Sequence, residues 1–152
     1  MSEELLIAHC SPTMAGLKTG SLFTCPMQSR AEILARARSL NRRFARRGMR
    51  VLPLKFYADR ALIYIYRPAH LRRDLSGALA ARILKERGYP VENAERCIRT
   101  LIARLHENAD FPHEIGLFLG YPPEDVDGFI RNGAKCAKCV GPWKVYGDEQ
   151  AA

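Results

Sequence analysis

No apolar run in the 152-residue chain approaches the roughly 20 residues that a membrane-spanning helix needs. The first ten residues carry Glu3 and Glu4 where a signal peptide would have basic residues, so the expectation is a soluble, cytoplasmic protein with no membrane partner. A Walker loop, a G-x-G-x-x-G fingerprint and a G-x-S-x-G nucleophile elbow are all missing, which argues against the common nucleotide-dependent and serine-hydrolase classes. Internal repeats, low-complexity tracts and linker-like stretches are missing too, and the length then predicts a single domain over residues 1–152. With 47% hydrophobic and 26% charged residues, neither disorder nor a disulfide-stapled miniprotein fits. Five cysteines, an odd number in a chain without an export signal, leave at least one as a free thiol or a ligand.

Charge is present but unevenly spread, within a formal net balance of +8. Between Arg30 and Arg50 stand eight arginines and one acid, Glu32. From Glu107 to Asp127 there are six acids and no Lys or Arg. Either the two segments face each other or each meets a different partner.

The pattern predicts a short helix over Ser2–Ala8, a loop at His9-Cys10, and a new helix with Ser11 as N-cap and Pro12 at its first position, ended by Gly20. A short strand is expected over Leu22–Cys25. Ser29 and Glu32 form a capping box for a helix whose stripe is Ile33, Ala37, Leu40 and Phe44, with Gly48 marking its end. Arg50–Tyr57 and Ala61–Tyr66 alternate around Ala58-Asp59-Arg60 as an antiparallel hairpin, and Pro53 belongs on an edge because it cannot donate to a ladder. Helical stretches follow over about 69–88, with Ser76 a cap inside, and over the stripe Val91 to Leu105. Short helices are expected over His113–Leu119 and from Pro122 to Asn132, then a cysteine-bearing loop and a last strand at about 143–146. The sum is an α+β fold, a small antiparallel sheet (hairpin about 50–66 plus the C-terminal strand) packed by several helices.

Four segments could carry chemistry. Cys10, one residue before the expected N-cap, would sit at the positive end of a helix, which favours thiolate, while His9 could add charge or take a proton. The plainer alternative is a small buried apolar residue. Cys136-Ala137-Lys138-Cys139 could grip a metal or form a redox disulfide, although a structural zinc site would need a second ligand pair that is not there. His113 and Glu114 put a base or ligand beside a carboxylate at a helix start, but neighbouring helical residues do not share a face, and both could simply satisfy backbone groups. The arginine helix could neutralise phosphates. Its basic residues surround most of the helix and no aromatic interleaving suggests base stacking, so a solvated face is the first reading and nucleic acid the second.

Three blocks, HCSPTMAGLKTGSLF at 9–23, FPHEIGLFLGYPPEDVDGFI at 111–130 and CVGPWKVYGD at 139–148, with YRP at 66–68, resemble an uncharacterised bacterial family classed as a domain of unknown function. The positions matching its pattern are Cys10, Lys18, His113, Glu114, Gly120, Tyr121, Cys139, Trp143, Lys144 and Tyr146. Cys136 and the arginine helix fit less closely, and Pro142 departs from the pattern. The resemblance implies kinship, not a reaction.

The leading expectation is a thiol-centred protein in which the loops bearing His113 and Cys139 converge on Cys10. In an enzyme, Cys10 attacks or is oxidised, His113 manages the proton and Cys139 resolves the product. Lys18 would hold an anionic substrate or cofactor, with His9, Glu114, Tyr121, Trp143 and Lys144 contributing to binding, and Tyr121 and Trp143 walling the pocket. The alternatives are a module in which Cys10, His113 and Cys139 ligate iron, zinc or haem without turnover, and a basic domain docking on nucleic acid or a protein. A small molecule or a redox protein would be the partner in the thiol reading.

Overall fold

The computed structural model describes residues 3–108 and 111–132, without the side chains at 3–5, 7–9 and 132. Cys136, Cys139, Trp143, Lys144 and the strand expected at 143–146 lie outside the described residues, as does the side chain of His9. The chain divides into two compact units, Met1–His70 and Leu71–Ala152. Helices and an antiparallel sheet make the fold α+β, and among the described residues no helix is long and apolar enough to cross a membrane.

The first unit opens with α1 (Glu3–Met14), one continuous helix where two were expected. Leu6, Cys10 and Thr13 are all buried, and their i, i+4, i+7 spacing places them on one helical face. Pro12 lies inside its last turn, with only Thr13 and Met14 after it. Gly16, at φ 79°, ends the winding in the left-handed region: its N–H donates to the Thr13 carbonyl at 3.1 Å and that of Leu17 to the Pro12 carbonyl at 2.8 Å. Gly20, expected to stop a helix, instead begins a strand.

That strand, β1 (Gly20–Pro26), and the hairpin β2 (Arg50–Phe56) and β3 (Arg60–Tyr66) form a sheet of order β1-β3-β2, antiparallel throughout. The central β3 is buried from Ala61 to Tyr66, and its near-continuous apolar run is what burial on both faces demands. Pro53 lies on the edge strand β2, as expected, next to a register shift between Pro53 and Lys55. Helix α2 (Arg30–Phe44), continued by a 3-10 turn at Ala45–Arg47, is capped by Ser29, whose hydroxyl accepts from the Glu32 N–H at 3.2 Å. Its buried stripe Ile33, Ala37, Leu40 and Phe44 joins Leu6, Cys10, Phe23, Cys25, Val51, Ala61, Ile63 and Ile65 in one core. Asn41 closes the outer edge of β2: its amide oxygen accepts from the Val51 N–H at 2.6 Å and its NH₂ donates to the Val51 carbonyl at 3.0 Å.

The second unit is helical over its described residues. Helix α3 (Pro68–Leu75) crosses the boundary and breaks at Ser76-Gly77 before α4 (Ala78–Glu86). Next come α5 (Ala94–Glu107), capped by Asn93, then α6 (Ile115–Phe118) and α7 (Pro123–Asn132). Leu75, Leu84, Leu101, Phe118 and Val126 are among its core residues.

Candidate functional site

The residues around Cys10 are positioned by the end of α1 and the start of β1. The hydroxyls of Thr13 and Ser21 meet at 2.7 Å, both buried, and Ser21 also bonds to the Cys10 thiol. Cys10 is inside a helix rather than before an N-cap, so the expected dipole effect does not apply and the direction of its shift is corrected. Burial pushes the thiol up to about 12, against the charge of Lys18 and the Ser21 bond. Lys18 is partly buried and held below the ordinary lysine range by desolvation, with Cys10 drawing it back. Cys10, Cys25 and Cys97 are all buried free thiols.

Arg67, from the YRP segment, fixes this corner. Its guanidinium donates to the carbonyls of Thr13 at 2.8 Å, Met14 at 2.7 Å and Arg47 at 2.8 Å. Two of these are last-turn carbonyls of α1, where a cation is favoured.

His113 and Glu114 separate as adjacent residues must. His113 is exposed, its ring 4.6 Å from that of Phe129. Glu114 is fully buried, and the Tyr89 hydroxyl donates to its Oε2 at 2.7 Å. Arg104 Nε lies 2.7 Å from the same oxygen, its N–H not aimed along the contact, so this is an ion pair rather than a hydrogen bond; Arg87 is 3.6 Å from Oε1. Burial, and then the Glu114 charge, push the Tyr89 hydroxyl up, so it stays a donor. A buried carboxylate requires such company, and no local pattern marks Tyr89, Arg87 or Arg104 as its partners.

Tyr121 lines a 150 Å³ cleft with Asp74, Leu117, Gly120, Pro122 and Pro123. Gly120, at φ 88°, ends α6 with its N–H on the Leu117 carbonyl and that of Tyr121 on Gly116. Among the described residues no group of three or more His, Cys, Asp or Glu is arranged to hold a metal ion.

The other chemically distinctive surface is α2. All eight arginines from Arg30 to Arg50 are exposed, and Glu32 lies 3.9 Å from Arg36. Arg38, Arg42 and Arg46 recur every four residues as a ridge on the side away from the buried stripe. At the N-terminal end of α2, Arg30 stands over the Phe56 ring, 5.2 Å from its centroid, while Lys55 and Arg60 stand 5.4 and 4.9 Å from that of Tyr57. Phe56 packs on the core, and Tyr57, the next residue, faces the other side of the hairpin. No curated protein and no solved structure matches the chain. Residues 6–152 match the model of the family described as protein of unknown function (DUF3793), and the chain belongs to that family.

Proposed function

We propose that this protein is a binding module that docks on nucleic acid through the outward face of α2. The observation that carries this reading is eight exposed arginines in one segment whose single acid is Glu32. Like charges four residues apart on a helix repel, so the Arg38–Arg42–Arg46 ridge costs stability and makes sense as a surface awaiting anions. The segment from Arg30 to Arg50 uses arginine and no lysine, and a guanidinium grips phosphate with two parallel N–H bonds where an ammonium offers a point charge. The 15 residues of α2 extend about 22 Å, long enough for several phosphates. If about five are neutralised, log affinity falls with log salt at a slope of about −4. Fluorescence polarisation of a labelled mixed-sequence oligonucleotide across a salt series measures this. The variant Arg38→Glu/Arg42→Glu/Arg46→Glu should bind at least about 100-fold more weakly; equal binding by wild type and variant, or a flat salt response, would sink the reading.

A second reading keeps the thiol. One observation favours it: the Lys18 charge shares a corner with Cys10 and acts on its thiol against desolvation, favouring the thiolate. It asks nothing of His113 or Cys139. Because thiolate is the nucleophile and the Cys10 proton is held up to about 12, alkylation of the native protein should be slow and should still accelerate with pH above 9.0. Lys18→Met should slow it further. Modification of Cys10 only after denaturation, at a rate indifferent to Lys18, leaves it a core residue.

A further inference from the structure

We propose that the tip of the β2–β3 hairpin, where Lys55 and Arg60 stand against the ring of Tyr57, receives an unpaired nucleobase, so that the nucleic acid this protein takes is single-stranded. The inference rests on the nucleic-acid reading of α2 and adds its substrate class.

The argument starts from how the tip is built. Tyr57 N–H donates to the Arg60 carbonyl at 2.8 Å, closing the hairpin over Ala58 and Asp59. The end of β1 is tied to the same turn, with the Met27 N–H on the Asp59 carbonyl at 3.0 Å. This brings the start of α2 beside β2 and sets Arg30 over Phe56 at 5.2 Å. Phe56 packs on the core on that side, and Tyr57, the next residue, faces the other way, where Lys55 and Arg60 stand 5.4 and 4.9 Å from its ring. Asp59 is the acid here, 3.7 Å from Arg60, and its side chain is 81% exposed, leaving room for an anion to compete with it.

Duplex and single strand ask different things of such a surface. A duplex keeps its base faces stacked inside and presents phosphates and base edges, which an arginine ridge alone can meet. A single strand presents base faces, and protein grooves that take it combine basic side chains along the backbone with aromatic rings and guanidinium planes for stacking. The tip supplies a ring and a flat guanidinium group together at Tyr57 and Arg60, with the Lys55 ammonium beside them. Tyr57 is partly exposed, so a base can reach its ring by displacing a cation towards its own phosphate.

The test compares a single strand of about 15 nucleotides, its duplex, and an abasic strand of the same length, all at one salt concentration. The single strand should bind about tenfold more tightly than the abasic strand, and more tightly than the duplex. Tyr57→Ala should lose about tenfold for the single strand, with an unchanged salt slope, while its duplex binding stays put. Tyr57→Phe, which keeps the ring, should restore the affinity. Duplex binding equal to or tighter than single-strand binding, or no difference between abasic and intact strands with wild type, overturns this inference and leaves the nucleic-acid reading standing. Failure to bind any of the three overturns both. The abasic comparison uses the unaltered protein, so it decides the matter even if Tyr57→Ala folds poorly.

Discussion

Residues 1–70 hold twelve Lys and Arg against four Asp and Glu, a balance of +8, whereas residues 71–152 hold twelve of each. The formal excess of positive charge therefore belongs to the first unit. The two also use arginine differently. In the second unit the guanidinium groups meet carboxylates: Arg82 with Glu86 and Asp127, Arg131 with Asp127, Arg87 and Arg104 with Glu114. In the first, Arg67 turns inward to backbone carbonyls while the α2 arginines stand in solvent. One side chain type thus serves as internal fastening in one place and as displayed charge in another. Burial and the nature of the acceptor decide which.

The comparison breaks most readily at Glu114. Removing one member of a buried, ion-paired cluster strands the rest, so Glu114→Ala should lower the unfolding free energy by about 3–5 kcal/mol, read by urea denaturation. A loss below about 1 kcal/mol would mean that Arg87, Arg104 and Tyr89 find water as readily as they find the carboxylate.

A smaller effect separates the two uses of arginine within the first unit. Arg67→Lys leaves the charge but cannot reach three carbonyls at once, and should cost about 2 kcal/mol. Arg42→Lys, on the outward face, should change stability by less than about 0.5 kcal/mol. Thermal unfolding of the pair gives the answer. Similar losses in both would erase the distinction between fastening and display.

The distinction was only partly legible beforehand, for reasons of range. Ser29 and Glu32 lie three apart, and the N-cap in which the Ser29 hydroxyl accepts from the Glu32 N–H is a local device legible in the sequence. The hairpin and the edge position of Pro53 are equally local. Ser11-Pro12 misled because it has the chemistry of a helix start, whereas the buried face Leu6, Cys10, Thr13 runs straight through it and includes two residues that do not register as strongly apolar. At the site, Glu114 stood out, but its Tyr89 partner is 25 residues away and nothing in either neighbourhood names the other. Likewise Phe56 meets Arg30 only when the chain after β1 ties the hairpin tip to the start of α2.

The smallest predicted effect has an unusual sign. Most substitutions destabilise, yet Arg38→Gln/Arg42→Gln/Arg46→Gln should stabilise the protein by a few tenths of a kcal/mol at low salt, because each change relieves repulsion along a ridge of like charges. The gain should vanish as salt rises, since exposed charges are screened over about 10 Å at 0.1 M. Urea midpoints at two ionic strengths resolve this. A gain at low salt alone would mean that the ridge is maintained against the fold's own interest, which is what a docking surface looks like energetically. A loss independent of salt would instead make these arginines part of the packing through their aliphatic stems, and the contrast between displayed and fastened arginine would have to be redrawn around Arg67 and Glu114 alone.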